Sequence, residues 1–205
     1  MINPLRFFNA GREDELDKYL DIVMSVEGQI SRAEGRKLIE LARNVPAGEV
    51  IVELGTFRGR SAIALALGSI LGTANRVYAI DPHVAFQGVF GGQFGPSDQA
   101  ELYGNLVKAR VGHIVAVVSL SSQAAAHTWT QKNVGLLWID GDHRYAAVSA
   151  DYNAWSRFVA RDGLVAFHDR SAPGVEQLVG ELVSNGRLLQ VGNLEALSWF
   201  RTACE

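Results

Sequence analysis

Apolar residues recur along the chain with two different periods. Within Asp14 to Met24, Leu16, Tyr19, Leu20 and Val23 return every three or four positions, the spacing of one helix face. A second helix is predicted to start after Ser31, whose hydroxyl can cap it while Glu34, three residues on, reaches back to close a capping box. Leu38, Ile39, Leu41 and Ala42 form its buried stripe, and Pro46, Ala47 and Gly48 end it. Beyond Gly48 the pattern changes to short continuous runs at Val50 to Leu54, Val77 to Ile80, Ile114 to Val118, Leu136 to Ile139 and Leu164 to Phe167. Such runs are too continuous for half-exposed strands and read as strands of a parallel sheet covered on both faces. Helical stretches separate them, at about 60–71, 98–110, 122–130 and 145–160. This alternation predicts a doubly wound, mostly parallel α/β sheet. After Pro173, suited to the first turn of a helix reaching Ser184, come two more runs, Leu188 to Val191 and Ala196 to Phe200. Gly192 and Asn193 between them predict a hairpin, so the sheet is expected to close with an antiparallel pair.

Composition narrows the class of protein. A length of 205 residues suits one domain, and 48% hydrophobic residues can build its core. Nineteen basic against 22 acidic residues give a net charge of -3, which argues against general attraction to nucleic acid or to an anionic membrane. Cys204 is the only cysteine, which excludes an intrachain disulfide and suits a reducing cytoplasm. The early apolar residues are broken by Arg6, Asn9 and the acidic run Glu13, Asp14 and Glu15, so neither a signal peptide nor a membrane span is expected. The N-terminal helix with Phe7 and Phe8 would suit a homodimer contact, or would pack on its own domain.

Ligands of open α/β sheets bind beyond the carboxyl ends of the strands, and those positions are polar here. The first run ends in Glu53, then Gly55, Thr56, Gly59 and Ser61 at a strand-to-helix turn, where glycine lets backbone approach a ligand closely. The glycine spacing is not that of a pyrophosphate cradle, and Glu53 would repel a phosphate, so a nucleoside without phosphate fits better. The second run ends in Asp81, 26 residues after Gly55, where a carboxylate can accept ribose hydroxyls. Ser119, Ser121 and Ser122 follow the third run and either contact an adenine edge or cap the next helix. Asp140, Asp142 and His143 follow the fourth, with Asp142 read as a helix cap, and His168 and Asp169 follow the fifth.

Together these motifs resemble the class I S-adenosylmethionine-dependent methyltransferases, above all the small-molecule O-methyltransferase branch that includes catechol and macrolide-sugar enzymes. The resemblance spans about residues 28 to 200. It implies a Rossmann-like seven-stranded sheet ending in an antiparallel hairpin. Residues 48–205 would form the cofactor-binding methyltransferase domain, with residues 1–47 as a helical cap of the same domain. Glu53, Gly55, Thr56, Gly59, Ser61, Asp81, Ser121, Ser122 and Asp140 would bind S-adenosylmethionine. Metal-dependent members imply that Asp140, His168 and Asp169 hold a divalent ion, Mg²⁺ or Mn²⁺. His168 stands where relatives more often carry a carboxylate, which shifts preference toward softer ions. If the fourth and fifth strands are neighbours, these three side chains converge on one spot with open coordination positions. His143, three residues after Asp140, falls where some relatives carry the general base. The expected reaction is methyl transfer to a hydroxyl of a small acceptor, with Asp140 and His143 catalytic. A nicotinamide-dependent oxidoreductase, a non-catalytic cofactor-binding protein and a hydroxylase-like relative are the alternatives. The segment Val84 to Pro96, rich in Gly and Phe, reads as an aromatic lid or as a surface loop, and Ser25 to Ile30 would close the same cleft by analogy with relatives.

Overall fold

A computed structural model describes residues 5–131 and 133–203, with side chains from Glu15 onward. The elements are α1 (Leu5–Met24), α2 (Arg32–Arg43), β1 (Val50–Leu54), α3 (Arg60–Leu71), β2 (Val77–Ile80), β3 (Phe86–Gln87), β4 (Gln93–Phe94) and α4 (Pro96–Lys108). They continue with β5 (Val115–Val118), α5 (Ser122–His127), β6 (Val134–Ile139), α6 (Tyr145–Trp155), β7 (Val159–Phe167), α7 (Pro173–Ser184), β8 (Leu188–Leu194) and β9 (Leu197–Thr202). Seven strands form one sheet in the order β5-β2-β1-β6-β7-β9-β8, in which β9 pairs antiparallel with both β7 and β8. This is the doubly wound, Rossmann-like architecture of methyltransferases. Among the described residues no helix is long and apolar enough to cross a membrane.

Strand pleat assigns each residue to one of two cores. Ile51, Leu136, Trp138, Ala166 and Leu197 face α1 to α4, whereas Val52, Leu54, Leu137, Ile139, Val165 and Phe167 face α5 to α7. The alternation continues past the strand ends, so Glu53, Asp140 and His168 share the parity of the first face. Three charged or polar groups are thereby aimed toward the N-terminal helices, and Glu53 lies 0% exposed under α3.

Several boundaries differ from the periodicity. The first helix begins at Leu5 rather than at Asp14, and the Phe7 and Phe8 side chains lie outside the described residues. The helix after His143 ends at Trp155, and β7 already begins at Val159, paired with Val134. The register then jumps, with Leu136 opposite Leu164, so the polar stretch 160–163 bulges out and hides the start of the strand. The final turn lies at Glu195, in the left-handed region with φ 52, not at Gly192 and Asn193. Gly192 instead sits in β8 beside a register shift, where any side chain would overlap the ring of Trp199. That glycine serves packing rather than turning.

Helix α2 reaches the sheet layer by lying directly on α3. Gly68 permits this, because a Cβ there would overlap the Ile39 carbonyl oxygen. Gly68→Ala is therefore expected to lower the unfolding free energy by about 1–3 kcal/mol through overpacking, measured by urea denaturation. Stability equal to that of the unsubstituted chain would contradict the close approach.

Candidate active site

The connections of the sheet reverse direction between β1 and β6, and the crevice at their carboxyl ends is the expected place for a ligand. The Asp140 N–H locks the two ends by donating to the Leu54 carbonyl at 2.8 Å, and the Gly55 N–H joins β1 to β2 by donating to the Ile80 carbonyl at 2.9 Å. Gly55 has φ 84, and a Cβ on it would overlap the Asp140 carbonyl oxygen. Only glycine fits there.

A cavity opens over these ends. Gly55, Thr56, Ser61 and Asp81 line it from the β1 and β2 turns, and Asp140 and His143 line it from the β6 turn. Its apolar part comes from the β3–β4 hairpin, which contributes Phe86, Phe90 and Phe94. The Phe86 and Phe94 rings stack at 4.8 Å, the Phe57 ring meets Phe94 edge-on at 5.2 Å, and Phe90 lies 6.3 Å from His143. Arg144 holds the hairpin by donating to the Gln87 carbonyl at 3.0 Å. Gln29 and Ile30 line the cavity from the segment before α2. Arg60 ties that segment down, donating to the carbonyls of Val26 at 2.6 Å and Ile30 at 2.8 Å, and itself lines the cavity. Periodicity did not single out Arg60; its place immediately after Gly59 at a strand-to-helix turn was the available signal.

Asp81 organises the turn. Its Oδ2 accepts the N–H groups of Thr56 and Phe57, both at 3.0 Å, and its Oδ1 accepts that of His83 at 2.8 Å. Phe57 and His83 both adopt left-handed backbone, φ 46 and 49, a conformation costly for bulky residues and held here by these bonds. A carboxylate has about four acceptor sites, so one remains for a ligand hydroxyl.

Glu53 lies beneath the cavity rather than in its wall. Its Oε2 accepts the Thr56 hydroxyl at 2.5 Å, and Oε1 is buried without a partner. Burial pushes its pKa up to about 8, against the hydrogen bonds from Ser61 and Thr56. Gly59 opens α3 with φ 90, packed against Leu102, and does not line the cavity. Neither do Ser121 and Ser122: Ser121 accepts the Ala124 N–H as the cap of α5, and Ser122 accepts from the Trp155 indole at 3.1 Å.

The structure brings Asp140, His143, His168 and Asp169 into one cluster. Asp140 Oδ1 lies 3.1 Å from His168 Nδ1 and 3.5 Å from His143 Nε2. Asp169, at φ 49, turns its Oδ2 to 3.3 Å from His143 Nδ1 and 3.6 Å from His168 Nδ1. One ligand atom each from Asp140, His143 and His168 fall within 4.8 Å of one another. His143 Nε2 and both ring nitrogens of His168 are buried with no hydrogen-bond partner, and at His168 Nδ1, beside Asp140 and Asp169, a cation would complete the arrangement. Burial opposes charge on His168, but Asp140, Glu34 and Asp169 outweigh it and push its pKa up to about 11. Burial likewise opposes ionisation of Asp140, yet His168 and His143 hold its pKa below the ordinary value. Asp142 also lines the cavity; its Oδ1 accepts the Arg144 N–H at 3.1 Å, just before α6.

Comparison with known proteins agrees with the fold. The model of a family described as a methyltransferase domain matches residues 52–170. The fold is similar to that of the methyltransferase PaMTH1 from Podospora anserina bound to S-adenosylhomocysteine, with TM-score 0.69 and 14% identity over 100% of this chain and 98% of that one. It is similar to the O-methyltransferase TomG from Streptomyces achromogenes, involved in tomaymycin synthesis and complexed with S-adenosylmethionine, with TM-score 0.65 and 17% identity over 92% and 89% of the two chains. An O-methyltransferase from Bacillus cereus in complex with S-adenosylhomocysteine gives TM-score 0.63 and 16% identity over 91% and 90%.

The buried Glu53 yields a pH prediction. With its folded pKa raised from 4.5 to about 8, the folded protein keeps a proton that the unfolded chain has already released across that range. Stability from this group is complete below the lower value and is lost as pH rises through the upper one, at up to about 1.4 kcal/mol per pH unit. Glu53→Gln should therefore gain stability relative to the unsubstituted protein between pH 5 and pH 8 in thermal denaturation. A stability difference that does not change over that range would show that Glu53 is ionised throughout.

Proposed function

This chain belongs to the family of methyltransferase domains and is an S-adenosylmethionine-dependent enzyme, and we propose that it methylates a hydroxyl oxygen of a small-molecule acceptor. The observation that carries the reading is that Gly55 and Asp81 line the same cavity as Asp140 and His143. Cofactor-binding and acid-base groups thus share one chamber. The O-methyltransferase names of TomG and the Bacillus cereus enzyme support oxygen as the accepting atom. In this reading residues 48–205 carry the chemistry, and residues 1–47 form a cap whose Gln29 and Ile30 reach the cavity.

S-adenosylmethionine supplies a sulfonium-bound methyl group, which passes to the acceptor oxygen as the sulfur becomes a neutral thioether. Gly55 lets its backbone approach that nucleoside without obstruction, and the free acceptor site of Asp81 takes a ribose hydroxyl. Glu53 supports both from below through Thr56 and Ser61. The aromatic hairpin excludes water from the chamber and presents an apolar wall to the acceptor. An acceptor hydroxyl is mostly protonated at neutral pH and needs a base. His143 lines the cavity and takes that proton at Nε2, which has no hydrogen-bond partner, while Asp169 beside Nδ1 stabilises the imidazolium.

The cluster fits a divalent cation, with Asp140, His168 and Asp169 as the residues that would hold it. His143 is kept out of the ligand set in this reading because a metal-bound nitrogen cannot accept a proton. When bound, the ion would polarise the acceptor oxygen and lower its pKa. A set containing an imidazole nitrogen suits Mn²⁺ better than Mg²⁺.

Calorimetry tests the assignment. S-adenosylhomocysteine should bind and raise the melting temperature while NAD does neither, and Asp81→Ala should weaken binding at least about tenfold, the equivalent of one lost hydrogen bond to a charged group. His143→Ala should lower kcat by about 10²–10⁴ with binding of S-adenosylhomocysteine unchanged. An intact chain with no affinity for S-adenosylhomocysteine would overturn the proposal.

A further inference from the structure

Glu34 does more than its place in the sequence requires. As the third residue of α2 it completes a capping box with Ser31, a task that an exposed glutamate performs equally well. Here the residue is buried, with its side chain only 3% exposed, and each carboxylate oxygen is committed. Oε1 accepts the Ala196 N–H at 2.9 Å, from the turn between β8 and β9. Oε2 accepts the Ser31 N–H at 2.8 Å and lies 3.5 Å from His168 Nε2. His168 is equally buried, its ring 5.7 Å from that of Trp138, and its other nitrogen faces Asp140 at 3.1 Å. The imidazole is therefore held between two carboxylates, one from the N-terminal cap and one from the cavity wall.

We propose that Glu34 is a positioning residue of the active site: its carboxylate faces Nε2 of His168 at 3.5 Å, a charge contact short of a formed hydrogen bond, and so orients the ring to present Nδ1 to the cluster formed with Asp140. Burying a carboxylate is costly unless it is paired, and the pairing partner here is a side chain that the cation reading makes a ligand. An imidazole that binds metal through one nitrogen commonly gives the N–H of the other to a carboxylate, which fixes the tautomer and the ring orientation. The strand pleat alone aims His168 toward α2; Glu34 is the group that receives it there. The inference rests on the proposed cation site and extends it to a residue 134 positions away in the chain.

The test is Mn²⁺ affinity of the purified full chain, read from the electron paramagnetic resonance signal of free Mn²⁺. Glu34→Gln, which keeps the side-chain shape and the capping geometry, should weaken Mn²⁺ about 10–100-fold. His168→Ala should abolish binding. Ser31→Ala, which removes the capping hydroxyl but leaves Glu34 opposite His168, should lower the melting temperature and keep the affinity. Binding of S-adenosylhomocysteine certifies that each variant is folded. Should Glu34→Gln fail that check, Glu34→Asp, which withdraws the carboxylate from His168 by one methylene, is read in its place. If His168→Ala loses Mn²⁺ while the Glu34 variants bind it normally, the role assigned to Glu34 is wrong and the cation site stands. Equal weakening by Ser31→Ala would assign the effect to helix capping and overturn the inference. If the unsubstituted protein binds no Mn²⁺, or His168→Ala binds it equally well, the cation site itself is wrong and the inference falls with it.

Discussion

The backbone contact between the ends of β1 and β6 governs everything built above them. Gly55 passes so close to the Asp140 carbonyl that no side chain fits between, and the Asp140 N–H is bound to Leu54. Two turns that carry different chemistry are thereby fixed at one level. One takes its shape from Asp81, whose carboxylate gathers three backbone N–H groups. The other delivers Asp140 and His143. Because the β1–β6 contact is made by main-chain atoms, it is independent of what occupies the cavity, and the site is preorganised rather than assembled around its ligand.

Pleat parity then decides how charge is distributed. Glu53 within β1, and Asp140 and His168 just after β6 and β7, lie on the same face, the one covered by the N-terminal helices. The buried Glu34 and the half-buried Asp140 meet one imidazole, with Asp169 close by. That local excess of negative charge is relieved by a proton on His168 or by a cation among the four side chains. Glu53 takes the opposite course: isolated from any cation, it is held largely in its neutral form.

Local pattern carried much of this. The ends of β1 and β2 coincide with the apolar runs Val50 to Leu54 and Val77 to Ile80, and the residues that follow them are the ones around the cavity. The start of β7 is hidden in the sequence because Arg161, Asp162 and Gly163 break its apolar run where the strand bulges. Gly192 was read as a turn because glycine is the usual turn residue, and nothing nearby in sequence announces that Trp199 needs its space. Ser121 and Ser122 have two equivalent readings locally, and the cap of α5 and the bond to Trp155 become visible only in the fold. Glu34 is the residue whose role lies furthest from its local sequence. The capping box explained it completely, and its contacts with His168 and Ala196 depend on which strand the sheet order brings beneath α2.

The bond from Ala196 to Glu34 joins residues 162 positions apart. A nascent chain emerging from the ribosome can form β1, β2 and the Asp81 turn early, since these lie close together in sequence. It cannot give the Glu34 carboxylate its full set of partners until the β8–β9 turn has been made and β9 has slotted between β7 and β8. Loop-closure entropy over so long a span makes this a late event in folding. The Asp81 turn and the Glu34 carboxylate therefore gain their full sets of partners at different times, and a chain interrupted before residue 196 would lack the N–H that Glu34 Oε1 accepts.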